Sequence, residues 1–326
     1  MTTAAARLNV VDSEIVSDRA SDGTLPVAPG VAALQTMIAN VVLVGNPGGP
    51  WVLVDAGMPY SAGKIEAAAG RRFGRGKPPE AIILTHAHFD HVGALQTLAE
   101  HWDVPVYAHR LETPYITGLS SYPPPDPTVG GGLMARLSPL FPRGPYDLGG
   151  RVRMLPEDGS VPGLPDWHQV MTPGHSPGHV SFFRPSDRTL IVGDAFVTTK
   201  QESALAALTQ APRVNRPPAY FTQDWVSAHG SVDRLFALDP AAAVTGHGLP
   251  MRGHELAVGL ARLAAQFRQE MPRDGRYVRE PAVFTAMGPA YVPPPVPDPV
   301  PKVVASVAIT AGVAAVVAAT LSRRRG

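Results

Sequence analysis

The chain has 326 residues, 44% hydrophobic and 17% charged, which is enough for one large domain with a substantial core or two small ones. A formal net charge of +1 leaves no global field to draw it onto nucleic acid, and the basic cluster RRFGRGK (71–77) closes an expected helix, where cations suit the dipole. With no cysteine, disulfides and thiolate zinc sites are excluded, so any metal must be held by His, Asp or Glu.

Taken in chain order, the N-terminal MTTAAARLNVVDSEIVSDRA has acidic residues where an export signal needs an apolar core, so a cytoplasmic location is expected. Short apolar runs then predict strands at VVLVG (41–45), WVLVDAG (51–57), AIILT (81–85) and PVYAH (105–109). Helical spacing predicts helices over 61–73 and 92–102 between them. Residues 112–165 are rich in Pro and Gly and too long for a plain connection, which marks a functional loop. Inside it Leu133, Met134, Leu137, Leu140 and Phe141 fall at helical spacing, as a helix packed on the core or a substrate lid would require. Strands follow at 151–155, 168–174, 179–184, 189–195 and 241–248, with helices over 224–238 and 253–271. Two similar halves of mixed strands and helices predict an α/β architecture of two packed sheets with helices outside.

The C-terminus departs from this pattern. YVPPPVPDPVPK (291–302) reads as a semi-rigid spacer after a catalytic domain ending near 290. The uncharged residues 303–321 would span roughly 28 Å as a helix, and the basic tail 322–326 follows, so a transmembrane anchor is expected there. The composition of that segment, mostly Ala and Val, equally suits a helix docked on protein.

The densest chemistry lies in THAHFDH (85–91), directly after an apolar strand. His86 and His88 alternate along extended chain and can face the same way, while Asp90 and His91 turn into the next helix. Such a cluster can serve two ions, each needing further ligands. Residues just past later strands supply them: His175 in TPGH, Asp194 in VGDA and His247 in TGHG. Gly174, Gly193, Gly246 and Gly248 beside them permit tight turns and close approach.

On VDAG with Asp55, HAHFDH, His175, Asp194 and His247, the sequence over roughly 25–255 resembles the metallo-β-lactamase-fold hydrolase superfamily, which includes glyoxalase II, quorum-quenching lactonases and RNase Z-type nucleases. The resemblance implies a four-layer αββα sandwich. It implies that His86, His88 and His175 hold one metal, that Asp90, His91 and His247 hold a second, and that Asp194 bridges them. Asp55 is then a brace rather than a ligand, with Thr85 and His179 as further supports; His179 equally reads as a satisfied buried histidine. His101, His109, His168, His229 and His254 match no part of the pattern. A nitrogen-and-oxygen set suits two zinc ions, with iron or manganese also open. His88 stands where flavodiiron members carry Glu, which weakens an oxidoreductase reading.

The expected reaction is hydrolysis by a hydroxide bound between the two metals, with Asp90 as the catalytic residue that orients it or passes its proton to the leaving group. An apolar, proline-stiffened lid, with Met134, Leu137 and Phe141 as lid residues, fits an uncharged ester, lactone or thioester better than RNA. Two other readings stay open: a mononuclear iron dioxygenase of the persulfide type, and a catalytically silent, membrane-tethered binding protein.

Overall fold

The computed structural model describes residues 14–297. The first sheet opens with an antiparallel meander of β1 (Leu25–Ala28), β2 (Val31–Thr36), β3 (Ala39–Val44) and β4 (Val52–Val54). It continues in parallel: α1 (Ala62–Phe73) leads to β5 (Ile82–Ile83), and α2 (Phe89–Val92) with α3 (Leu95–Trp102) leads to β6 (Val106–Ala108). After the short α4 (Thr113–Ile116) and α5 (Leu133–Leu137), β7 (Val152–Met154) pairs with β6 and completes the seven-stranded order β1-β2-β3-β4-β5-β6-β7.

The second sheet is built from β8 (His168–Met171), β9 (Val180–Arg184), β10 (Thr189–Gly193), β11 (Ala242–Thr245) and β12 (Met251–Arg252), in the order β12-β11-β10-β9-β8. Between β10 and β11 run α6 (Ala204–Thr209) and α7 (Trp225–Ala237), and after β12 come α8 (Gly253–Glu270) and α9 (Arg276–Arg279). A separate hairpin of β13 (Val283–Thr285) and β14 (Gly288–Tyr291) follows.

Alternation along the strands makes four layers of this. In β3, Val41 and Leu43 face α1 and α3, packing with Ile65, Phe73 and Leu98, whereas Val42 and Val44 face the other sheet. In β10, Ile191 points into that inter-sheet core while Leu190 and Val192 point at α7 and α8. Each fully buried Leu or Val contributes about 1.5–3 kcal/mol relative to exposure. Helix α7 starts where Asp224 Oδ1 accepts from the backbone N–H of Val226 and Ser227, both at 3.0 Å, a cap of about 1 kcal/mol. Its residues Trp225, Ala228, Val232 and Leu235 then recur at helical spacing as the buried face.

The αββα sandwich is therefore the fold, with three differences from the sequence reading. Strands β1 and β2 carry no clear sequence signal and are additions to it. Residues 151–155, expected in the second half, supply β7 to the first sheet, so the two halves are unequal. The Leu133–Phe141 stripe is not one buried helical face: α5 stops at Leu137 and a 3-10 turn, Ser138–Leu140, follows. Leu133 and Leu140 are 37% and 66% exposed, and Pro139, with no N–H to donate, cuts the helix short.

The expected membrane segment 303–321, the basic tail and residues 298–302 of the spacer lie outside the described residues. Among the described residues no helix is long and apolar enough to cross a membrane.

Candidate metal centre

The cluster forms along one rim, where strands of both sheets end. Asp55 follows β4, Thr85 to His91 follow β5, Asp194 follows β10, His247 follows β11, and His175 sits in the turn between β8 and β9. Ligand-type atoms of His86, His88 and His175 lie within 4.8 Å of one another, and so do those of Asp90, His91 and His247 and those of His86, His91 and Asp194. The seven residues are all buried. Asp194 spans the groups, its Oδ2 at 3.1 Å from His247 Nε2 and 3.4 Å from His175 Nε2, its Oδ1 at 3.5 Å from His91 Nε2.

Local backbone allows this density. The β10–β11 register shifts between Ile191 and Gly193, an irregularity that re-aims the chain just before Asp194. A Cβ at Gly246 would lie 2.0 Å from Asp194 Oδ1, so only glycine fits there. Asp55 itself adopts a left-handed conformation, φ 61°, which turns its carboxylate toward the 85–91 loop.

Hydrogen bonds set the imidazole tautomers. Asp55 Oδ1 accepts from Thr85 N at 2.8 Å; its Oδ2 accepts from Thr85 Oγ1 at 2.7 Å and from His91 Nδ1 at 2.8 Å. Because the Thr85 hydroxyl proton goes to Asp55, Thr85 Oγ1 accepts from His86 Nδ1 at 3.1 Å. His247 Nδ1 donates to Ile38 O at 2.7 Å. His175 Nδ1 faces Thr222 Oγ1, whose own proton goes to Pro218 O. His86, His91, His247 and His175 thereby all turn Nε2 inward, the nitrogen left over for a ligand. His88 presents Nδ1 to His175 Nε2 at 2.9 Å.

His179 behaves differently. Its Nε2 accepts from Asp194 N at 2.8 Å and its Nδ1 is 2.8 Å from Thr172 Oγ1, so both ring nitrogens are used. It holds the Asp194 backbone, and burial pushes its pKa down to about 3, keeping it neutral.

Charge is uneven across the cluster. Burial lowers His86 and His88 well below the ordinary value and takes His175 to about 4. Burial would lower His91 as well, but the carboxylates of Asp194 and Asp55 override it and raise His91 to about 10. Burial pushes Asp90 up, and the same effect on Asp194 is outweighed by His247 and His91, which hold it well below the carboxylate range.

Whether these residues fit a metal is decided by their unpartnered atoms. His86 Nε2, His91 Nε2 and Asp194 Oδ1, the atoms these residues turn into the cluster, are buried with no hydrogen-bond partner, whereas His88 meets the cluster through Nδ1. Each such group costs about 1–3 kcal/mol, and a cation satisfies several converging lone pairs where protons cannot. The centre is a His/Asp metal-binding cluster. Among the described residues, none of His101, His109, His168, His229 or His254 joins it; His101 instead pairs with Glu66 at 2.6 Å.

Three further contributors escape sequence reasoning. Glu112, fully buried, accepts from Ala87 N, Ser176 Oγ, Gly178 N and the Tyr122 hydroxyl. Burial raises its pKa to about 7 against those hydrogen bonds. Tyr122 lies with its ring 4.3 Å from that of His88. Asn40 Nδ2 donates to Thr245 O at 2.9 Å and Gly248 O at 2.7 Å, clamping the His247 turn. Glu112 opens the Pro/Gly-rich segment, but nothing in its spacing pairs it with a ligand loop; Asn40 carries no signal at all.

Of the three residues expected in a lid, Phe141 is the one with ring contacts leading toward His88. Phe221 stacks on His88 at 4.6 Å, and Phe141 lies 6.2 Å from Phe221 and 5.4 Å from Phe89. Met134 packs partly buried into the helix-side core of the second sheet, and Leu137 is half-buried.

Comparison with known proteins agrees with this geometry. The sequence profile of the metallo-beta-lactamase superfamily matches residues 35–247. The chain is 51% identical over 239 residues to the probable metallo-hydrolase YflN of Bacillus subtilis, covering 73% of this chain and 90% of that relative. Among solved structures it resembles a beta-lactamase domain protein from Burkholderia ambifaria, at a TM-score of 0.52 and 24% identity, covering 78% of this chain and 79% of that one. A metallo-beta-lactamase family protein from Thermus thermophilus matches at a TM-score of 0.51 and 20% identity, covering 74% of this chain and 80% of that one. The two structural likenesses speak to fold alone.

Proposed function

The chain belongs to the metallo-beta-lactamase superfamily, and from that premise we propose that it is a hydrolase of an uncharged ester, lactone or thioester that works with two divalent cations, zinc before iron or manganese. The observation that carries the reading is the convergence of unpartnered, buried ligand-type atoms from His86, His91 and Asp194, with His88, His175, Asp90 and His247 completing two groups around Asp194. His86, His88 and His175 would hold one ion, Asp90, His91 and His247 the other, and Asp194 both. Bound cations would supply water acidified to a pKa of roughly 7 and positive charge for an oxyanion.

The chain's own groups do the rest. Asp55, Thr85, Ile38 O and Thr222 keep each imidazole proton on the outward nitrogen, so that the inward one is free to ligate. Asp90, raised by burial, can take a proton from attacking water and return it to the leaving group. Phe221 stacks on His88, and Phe89 and Phe141 pack behind it, an apolar surface that would exclude water and accept an apolar acyl group.

Elemental analysis of the purified protein, followed by an ester, lactone and thioester panel, tests this. Two ions per chain and turnover of at least one carbonyl substrate are expected. One iron per chain with oxygen consumption on a persulfide would establish the dioxygenase instead, and protein that binds no transition metal would establish a silent module.

Residues 303–321 extend the proposal to a C-terminal membrane anchor with a cytoplasmic catalytic domain, on the strength of their uncharged length and the basic residues Lys302 and Arg323 to Arg325 at either end. Fractionating cells that express the full chain or a chain ending at Pro301 separates the outcomes. Equal release of both without detergent removes the anchor.

A further inference from the structure

The Glu112 carboxylate ties together two loops that also meet through the ligands themselves and through the backbone hydrogen bond from Val180 N to Thr85 O. On one oxygen, Oε2, it accepts from Ala87 N at 3.0 Å and from the Tyr122 hydroxyl. On the other, Oε1, it accepts from Ser176 Oγ at 2.8 Å and Gly178 N at 2.7 Å. Ala87 lies between His86 and His88, and Ser176 directly follows His175. One side chain thus takes hydrogen bonds from both segments that carry the three-histidine group. It takes none from the segments of His91, Asp194 or His247, which are held by Asp55, His179, Asn40 and Ile38. Ala87 N also lies 3.0 Å from Tyr122 Oη, so the Tyr122 hydroxyl closes the arrangement beside His88.

A buried carboxylate is costly unless satisfied by donors. Four donors on two oxygens meet that cost here. They leave a rigid link from Glu112 to Ala87, 25 residues before it, and to Ser176 and Gly178, 64 and 66 residues after it. Backbone hydrogen bonds tie the first loop to its own sheet at Leu84 N to Tyr107 O and cross between the two loop regions at Val180 N to Thr85 O, and Glu112 adds a side-chain link next to the ligands themselves.

We infer that Glu112 is a positioning residue for the three-histidine site, setting the distance of His175 from His86 and His88 and thereby the affinity of that site and not of its neighbour. This rests on the two-ion reading above. Glutamine at 112 would keep acceptors for one loop and turn an amide N–H₂ toward the donors of the other, so the link would break on one side without loss of volume.

Zinc affinity of the full chain, measured by competition with a chromophoric chelator, tests it without reference to turnover. Wild-type protein should show two binding steps. His88→Ala identifies the step of the three-histidine site and His247→Ala the other. Glu112→Gln should weaken the first step by about 10–100-fold, the usual cost of losing a partner behind a ligand, and leave the second within about threefold. Equal weakening of both steps, or of neither, overturns the inference, since a merely structural role would lower thermal stability without choosing between the sites. If Glu112→Gln does not accumulate as folded protein, Ser176→Ala combined with Tyr122→Phe removes one donor from each side with the carboxylate in place. About tenfold selective weakening is then expected, and no selectivity overturns it equally well. Wild-type protein with no zinc step would refute the two-ion reading itself, a result distinct from these.

Discussion

The three-histidine group and the group of Asp90, His91 and His247 stand on the same rim, yet their surroundings differ in charge. Around His86, His88 and His175 burial prevails and the imidazoles are held neutral. Around His91 and His247 the carboxylates of Asp194, Asp55 and Asp90 prevail, and both imidazoles are held toward their charged form. One group is thus a set of neutral lone pairs braced by a distant carboxylate, the other a set already charge-compensated by carboxylates in contact. A cation entering the first meets little competition from protons near neutral pH, whereas one entering the second must displace them.

Asp194 faces both groups, with its carboxylate near His175 on one side and His91 and His247 on the other, so Asp194→Ala should erase the distinction. Loss of more than about 10³-fold in hydrolytic rate is expected, the several kcal/mol that metal-assisted chemistry supplies, with the fold retained by circular dichroism. Full activity in that variant would sink the two-ion site.

Asp55→Asn should sharpen the contrast from the side opposite Glu112. The carboxylate accepts from His91 directly and reaches His86 only through Thr85. Zinc affinity of the Asp90–His91–His247 step should fall about 10–100-fold, and that of the three-histidine step by less. A larger effect on the three-histidine step would reverse the assignment of braces.

Phe141→Ala touches no ligand and removes a ring that packs on Phe89 and on Phe221, the ring stacked on His88. An increase in KM of about tenfold for a long-chain acyl ester is expected, matching about 1.4 kcal/mol of lost apolar contact, with a smaller change for an acetyl ester and unchanged zinc content. Equal changes for both esters would assign Phe141 to core packing.

Asp22 provides a remote control of the smallest size. Burial alone would raise its pKa, but hydrogen bonds from Thr24 and Arg72 hold it below the ordinary 3.8. A depressed carboxylate stabilises the fold above its ordinary value and loses that contribution as pH falls through the folded value. Asp22→Asn should therefore lower stability at neutral pH by no more than about 1 kcal/mol and flatten the acid limb of the unfolding curve below about pH 4, with zinc binding unaltered.

Much of the cluster is legible in the amino-acid order because its signals are local. A strand ends, small residues follow, and a His or Asp stands at the turn; that pattern recurs at His86, His175, Asp194 and His247 within a few residues each. The helices over 225–237 and 253–270 are legible for the same reason, since the Asp224 cap and the 3.6-residue spacing of apolar side chains act within single turns. The strand pair β1 and β2 is harder to read, because VAPGVAALQT spans a turn and two short strands without clean alternation.

What the amino-acid order determined by itself was therefore the kind of centre: nitrogen and oxygen ligands without thiolates, set at strand ends in an α/β chain. What tertiary structure decided was how those ligands are held. Glu112 to Ser176 and Gly178, Asn40 to Thr245 and Gly248, and His247 to Ile38 are hydrogen bonds across 64 to 209 residues of chain. Periodicity reports which face of its own element a residue occupies, whereas a bond between loops of different sheets depends on how those sheets close on each other.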